Sequence, residues 1–152
     1  MYVLGINAYH GDASAVLLRD GQLVAAVEEE RFRRIKHCAG FPSEAIRSVL
    51  EIGGIKGSDV AHVGVSRNPR AHLLRKLGYA LQALPSPRMI TDRAQNASRF
   101  LNLRRVVRQT LGDGAHARVH LIEHHPSHLA SAFFVSPFDD AACCAIDGFG
   151  DL

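Results

Sequence analysis

Three histidines within five residues are the feature of this sequence most able to do chemistry. In the stretch EHHPSH, His124 and His128 are four residues apart. At that spacing two imidazoles on one helical face can share a metal ion. Pro126 predicts that the helix starts at the proline, so that His124 reaches the metal from the preceding loop. The spacing leaves open whether His124 or His125 pairs with His128. Histidines that cap a helix are the alternative, but three clustered imidazoles favour the metal.

A second candidate site follows an apolar stretch near residue 147. Asp147 ends the run AACCAID and precedes Gly148 and Gly150. A carboxylate at the end of a strand can hold a metal, and glycines let backbone N–H groups approach a phosphate. An Asp-Gly pair also ends strands for steric reasons alone. Its place, one helix and one strand after the histidines, makes Asp147 a candidate metal ligand.

Two further segments carry groups suited to phosphate. The turn Gly5–Ser14 (GINAYHGDAS) holds His10 and Asp12 and has the composition of a phosphate-contacting loop, with an ordinary turn as the alternative. The segment Glu28–His37 (EEERFRRIKH) holds closely spaced basic groups that suit a phosphate or acyl phosphate. A solvated charged segment is the alternative there. These basic side chains are Arg33, Arg34, Lys36 and His37.

Short strands and helices must position these groups. Asp20-Gly21 between two apolar runs predicts a tight hairpin. The predicted strands are Tyr2–Asn7, Ser14–Arg19, Gln22–Val27, Asp59–Ser66, Arg118–Ile122 and Ala141–Asp147. The predicted helices are Glu44–Ile52, His72–Leu84, Asp92–Leu111 and His128–Val135. Three strands followed by alternating helices and strands predict an α/β fold, a mixed sheet with helices packed on it.

Composition sets the class of protein. With 152 residues, 47% apolar and 22% charged, the chain is one globular domain's worth of sequence. No apolar run reaches the roughly 18 residues of a membrane span, and the N-terminus lacks the features of a signal peptide. Three cysteines at no metal-ligand spacing favour the cytoplasm, and Cys143 and Cys144 are expected to be buried thiols.

Charge is unevenly distributed along the chain. Residues 67–118 contain 11 basic and 2 acidic side chains, whereas residues 119–152 contain no Lys or Arg and 5 acidic ones. A basic segment could bind RNA or a nucleotide, but Tyr79 and Phe100 are its only aromatic residues, so no stacking platform is evident. A solvated face, or one that meets an acidic part of the same protein, is favoured.

Four stretches together resemble one family of enzymes. They are similar to the carbamoyltransferases that include the nodulation-factor and tobramycin-type O-carbamoyltransferases. EEERFRRIKHCAGFP and EHHPSHLASAFFVSPFDDA are the most distinctive. The matching stretches are GINAYHGDASAVLL, EEERFRRIKHCAGFP, EHHPSHLASAFFVSPFDDA and AIDGFGD.

The resemblance implies a fold and a set of site residues. It implies that residues 1–152 form the N-terminal lobe of a threonylcarbamoyl-synthase-like domain with the actin/hexokinase/Hsp70 (ASKHA) fold, truncated after residue 152. His124 and His128 match two metal histidines, with Fe(II) or another divalent ion expected, and Asp147 matches an aspartate near that metal. Lys36 matches the residue that binds carbamoyl phosphate, and His10 is the nearest match to the catalytic base. Asp12, Gly148 and Gly150, with Lys36, are the expected cofactor- or phosphate-binding residues on the composition of their loops, and the residues that contact the nucleotide stay open.

The implied reaction uses carbamoyl phosphate and ATP. A carbamoyl-adenylate would pass its carbamoyl group to a hydroxyl of a small molecule, often a sugar or a natural product. The alternatives are a threonylcarbamoyl-transferring or hydrogenase-maturation relative, against which EEERFRRIKH argues, and a non-catalytic nucleotide- or RNA-binding module. The expected partners are the hydroxyl acceptor and a C-terminal part of the same protein, with no membrane and no nucleic acid. The acceptor and the oligomeric state, a homodimer included, stay open.

Overall fold

The computed structural model describes residues 1–9, 11–68 and 102–146. Within these ranges five strands and four helices form an α/β structure. The strands are β1 (Tyr2–Asn7), β2 (Ser14–Arg19), β3 (Gln22–Glu28), β4 (Val60–Val65) and β5 (Arg118–Leu121). The helices are α1 (Glu30–Arg33), α2 (Ser43–Ile52), α3 (Leu103–Leu111) and α4 (His124–Phe133), with a 3-10 turn at Gly57–Asp59.

The strands form one mixed sheet in the order β3-β2-β1-β4-β5. The first three strands pair antiparallel, whereas β4 is parallel to both β1 and β5. Asp20 and Gly21 have φ angles of 51° and 83°, the left-handed pair that a two-residue hairpin turn requires. The predicted hairpin and the mixed sheet with helices on it are therefore confirmed.

One face of the sheet carries the core. Side chains alternate across a strand, so every second residue of β1, β2 and β4 points to the same side. Helices α2 and α3 pack against that side through their apolar residues. These are Ala45, Ile46, Val49 and Leu50 of α2 and Leu103, Val107 and Leu111 of α3. The buried sheet residues there include Leu4, Ile6, Leu17, Val63 and Val65.

A close approach of two backbones joins the 3-10 turn to α3. A Cβ atom on Gly57 would lie 2.1 Å from the Leu111 carbonyl oxygen, so only glycine fits at this position. This contact fixes the end of α3 beside the start of β4.

Three predictions about the C-terminal third were wrong. Residues 141–146 form no regular secondary structure, because no described strand donates or accepts ladder hydrogen bonds there. Cys143 and Cys144 are exposed free thiols, not buried ones. The last helix runs over His124–Phe133 instead of 128–135. Pro126 is its third residue, where an N–H has no intrahelical partner to lose.

Some predictions lie outside the described residues. These are the helix 72–84, the part of the helix 92–111 that precedes residue 102, and the site residues His10, Asp147, Gly148 and Gly150. Of the described helices, none is long and apolar enough to cross a bilayer.

Candidate functional site

Those candidate site residues that the structure describes are at one edge of the sheet. Strands β1, β4 and β5 are mutually parallel, so their carboxyl ends share an edge. The loop that contains Asp12 follows β1, and α4 with its histidines follows β5. In α/β sheets, ligands bind outside the carboxyl ends of the strands. The topology therefore places the Asp12 loop and the histidine helix, which are distant in the sequence, at the same edge.

Asn7 holds the loop after β1 in place. Its side-chain amide donates to the carbonyls of Gly11 (3.1 Å) and Asp12 (3.0 Å). Its carbonyl oxygen accepts from the Ser66 hydroxyl at 3.0 Å, and Ser66 directly follows β4. Arg67 also donates to the Tyr9 carbonyl at 3.3 Å. Asn7, which the sequence did not single out, thus ties the loop to the neighbouring strand.

The loop after β1 is bonded to the segment that follows α1. The Tyr9 amide donates to the Gly40 carbonyl at 2.8 Å, and the Ala13 amide donates to the Cys38 carbonyl at 2.9 Å. The two segments therefore form one unit. The unit brings the first two predicted phosphate motifs, GINAYHGDAS and EEERFRRIKH, together.

The Asp12 and His37 side chains meet across this unit. Their Oδ1 and Nδ1 atoms are 2.8 Å apart, and both side chains are exposed, by 55% and 82%. The hydrogen bond and the charge of Asp12 raise the pKa of His37 above its ordinary 6.5, with a smaller contribution from Glu30. Lys36, also exposed, directly precedes His37 in the chain.

The same unit stores backbone strain. Four residues of the unit have φ angles between 53° and 61°, in the left-handed region that residues other than glycine rarely adopt. They are Tyr9, Asp12, Arg34 and His37. Such residues cost about 1–3 kcal/mol each and cluster at ligand sites. A strained unit that carries a charged pair and a lysine is suited to bind an anion.

Glu29 supports this unit from inside. Its side chain is only 1% exposed, and its two oxygens accept from Arg33 Nε and from the Ala45 amide, each at 2.9 Å. Its own amide donates to the Ala13 carbonyl at 2.8 Å. In the sequence, Glu29 is the middle one of three consecutive glutamates. The signal that could have found Glu29 is the alternation of β3, which places Ala25, Val27 and Glu29 on the inner side.

His124 and His128 form the second part of the site. Their Nε2 atoms are 3.1 Å apart, and the rings meet edge to face with centroids 4.4 Å apart. His124 is the first residue of α4 and His128 lies one turn later, so both are on one helical face. The His125 ring is 5.9 Å from that of His124 and its Nε2 is buried. The structure therefore pairs His128 with His124.

Two converging imidazole nitrogens fit two positions of a metal shell. Imidazole nitrogen is a ligand that Fe, Zn, Cu and Ni all accept. Over residues 1–9, 11–68 and 102–146, no three His, Cys, Asp or Glu side chains gather as a metal-binding group. Asp147 lies outside the described residues and stays a prediction as a further ligand.

A mixed α/β sheet with an anion-suited loop and a histidine pair at one edge defines a candidate transferase site. The chain belongs to the carbamoyltransferase family: the family described as Carbamoyltransferase N-terminus matches residues 2–152. The resemblance that the four motifs indicated is therefore confirmed.

Two relatives align along nearly the whole chain. One is the uncharacterised protein sll1178 of Synechocystis, 37% identical over 158 residues that cover 99% of this chain and 26% of that protein. The other is the nodulation protein NolNO of Sinorhizobium fredii, 34% identical over 153 residues that cover 96% of this chain and 21% of that protein. The chain thus spans about a quarter of the length of these relatives.

Proposed function

We propose that the full-length protein is an O-carbamoyltransferase that uses carbamoyl phosphate and ATP. Carbamoyl phosphate and water give carbamate and phosphate; a carbamate oxygen then bonds to the α-phosphorus of ATP and pyrophosphate leaves. The acceptor hydroxyl attacks the carbamoyl carbon of this adenylate, and AMP leaves. Membership of the carbamoyltransferase family supports the transferred group. The choice of carbamoyl phosphate as substrate rests on one observation. The hydrogen-bonded unit brings Asp12 to His37, and Lys36 directly precedes His37.

The described lobe suits an ASKHA-type domain. The order β3-β2-β1-β4-β5, with three antiparallel strands followed by two parallel ones, is consistent with the first half of that superfold. On this proposal the reactants bind at the carboxyl edge of β1, β4 and β5, in a cleft that a second lobe completes.

The phosphate of carbamoyl phosphate binds at Lys36 and His37. Lys36 supplies a permanent positive charge, and Asp12 orients His37 and favours its protonated form. A hydrogen bond between charged groups contributes about 1.5–3 kcal/mol, about twice a neutral one. Asp12 then acts as a positioning residue for His37.

His124 and His128 hold a divalent metal, with Fe(II) proposed and Asp147 as a further ligand. The bound metal supplies positive charge that polarises the carbamoyl carbonyl. The two histidines orient this charge at the end of β5, on the same sheet edge as the phosphate unit. His10 is the proposed base that accepts the proton of the acceptor hydroxyl.

Replacement of Lys36 tests the proposal. In the full-length enzyme, Lys36→Ala should raise the KM for carbamoyl phosphate by roughly 10- to 100-fold and change the KM for ATP far less, because only the phosphate anchor is lost. Pyrophosphate release that depends on carbamoyl phosphate is the readout. Arg31→Ala is the matched control, since Arg31 is an exposed cation of the same segment and pairs with Glu28. Equal changes for both substrates would refute the assignment of Lys36.

A further inference from the structure

A second pair of histidines lies on the sheet itself. His62 of β4 and His120 of β5 have their Nδ1 and Nε2 atoms 2.9 Å apart. Their ring centroids are 5.1 Å apart with an angle of 47° between the planes. Neither the resemblance nor the proposed reaction assigns a role to these residues.

The two strands fix this pair in position. β4 and β5 are parallel, with His62 opposite Arg118 and Gly64 opposite His120, so the two rings lie diagonally across one strand pair. Both point away from the core, because their neighbours Val63 and Leu121 belong to the core side. His120 is exposed and His62 is half-buried, so solvent reaches the pair.

The geometry points to a metal site: we propose that His62 Nδ1 and His120 Nε2 chelate a divalent transition metal such as Zn²⁺. Two nitrogens bound to a metal at 2.0–2.1 Å are about 2.9 Å apart at an angle of 90° and about 3.3 Å apart at the tetrahedral angle of zinc. The 2.9 Å between these two atoms is within a few tenths of an ångström of both values. Imidazole is a preferred ligand for Zn, Cu and Ni. Water completes the coordination on the open side.

Metal binding replaces the hydrogen bond between the rings. In that bond one nitrogen donates its hydrogen to the lone pair of the other. When the metal binds, the donor ring's proton moves to its other ring nitrogen through solvent, and both facing lone pairs bind the ion. Two neutral imidazoles therefore chelate without a net release of protons.

A metal at this site would link β5 to β4 through their side chains, in addition to the backbone hydrogen bonds between the two strands. Strand β5 is at the end of the sheet and pairs with β4 alone among the described strands. Its carboxyl end leads directly into α4, which starts at His124. A metal that bridges His62 and His120 would hold the strand that positions the other histidine pair. The inference itself does not depend on the proposed reaction.

Zinc binding to the full-length protein tests the inference. To remove the other pair, the protein carries His124→Ala and His128→Ala, and Zn²⁺ binding is measured by equilibrium dialysis after chelator treatment. We expect about one equivalent to remain bound. Adding either His62→Gln or His120→Gln should weaken that binding at least tenfold. Adding His116→Gln, another exposed histidine just before β5, should leave it unchanged.

Two outcomes would overturn the inference. One is the absence of zinc binding in the background protein, which would mean that the two rings only hydrogen-bond. The other is zinc binding that both His62→Gln and His120→Gln leave intact. If the background protein fails to fold by circular dichroism, the same substitutions are made in the wild type, where His120→Gln should lower the number of bound Zn²⁺ by one and an unchanged number would refute the site. Loss of carbamoyl transfer does not bear on either outcome.

Discussion

At the scale of single residues, the exposed Asp12–His37 pair affects the charge of His37 more than it affects the stability of the fold. Both side chains are exposed to water, which screens their attraction, so this pair does little to stabilise the fold. It does determine which proton state His37 presents to an anion. Because the pKa of His37 is raised, the imidazolium is present below that pKa and is lost as the pH rises through it.

The Asp12 carboxylate should therefore set the pH dependence of substrate binding. The KM for carbamoyl phosphate should be lowest below the raised pKa of His37 and should increase above it. Asp12→Asn removes the charge that raises this pKa, so the increase in KM should move to lower pH. The measurement is KM against pH for the full-length enzyme. Asp113→Asn, in the exposed turn after α3, is the control, and a profile that Asp12→Asn leaves in place would exclude this role.

Glu29, unlike the exposed Asp12–His37 pair, is buried, and its hydrogen bonds stabilise the fold. Glu29→Gln keeps one acceptor but removes the charge that Arg33 and the Ala45 amide contact. Hydrogen bonds to charged groups contribute about 1.5–3 kcal/mol, so we expect the free energy of unfolding to fall by about 2 kcal/mol in urea denaturation. The exposed neighbour supplies the control: Glu28→Gln should change it by less than about 0.5 kcal/mol. Equal effects of both would show that Glu29 is not the support described.

At the scale of elements, α4 positions its histidines because the helix begins at His124, two residues before Pro126. Since the helix begins at His124, the first and fifth residues are on one face and their Nε2 atoms converge. A helix that began at Pro126 would have left His124 in a loop. The pairing of the two imidazoles therefore depends on the helical first turn.

This pairing predicts which histidines hold the metal. In the full-length protein, His124→Ala and His128→Ala should each weaken iron binding by more than about tenfold, since removing even a residue that only orients a ligand costs 10- to 100-fold. Iron content after anaerobic reconstitution is the measurement. His116→Ala is the control. Unchanged iron content in both variants would remove the assignment.

Local signals predicted the early elements well. Asp20-Gly21 requires left-handed backbone and so defined the hairpin, and the helix predicted over Glu44–Ile52 is observed over Ser43–Ile52. The failures concern long-range partners. A run such as 141–146 has the composition of a strand, but only a neighbouring strand makes it one, and composition does not reveal that neighbour. The alternation of β3 places Glu29 on the inner side, but its partner Ala45, 16 residues away, does not follow from that local pattern.

At the scale of the whole molecule, one part of the described chain exposes unusual amounts of apolar surface. Phe134, Val135 and Phe138 are 80%, 75% and 63% exposed, and Ile146 is 90% exposed. In the sequence they lie between the histidine pair and Asp147. Two relatives are about four times as long as this chain. On the proposed function, we expect the reaction to use residues of the full-length protein outside 1–152.

We therefore expect a protein of these 152 residues to fold and to lack turnover. The sheet, α2 and α3 share one buried core, which is sufficient for a domain of this length. Catalysis depends on holding reactants in near-attack geometry, a contribution of about 7–11 kcal/mol that half of a cleft does not supply. The 152-residue protein is incubated with carbamoyl phosphate, ATP and Fe(II), and pyrophosphate release is compared with that of the full-length enzyme. Circular dichroism and cooperative urea unfolding establish that the short protein is folded, so that inactivity reflects the missing part of the site. Turnover at the full-length rate would show that residues 1–152 contain the complete active site and that the proposed second lobe is not required.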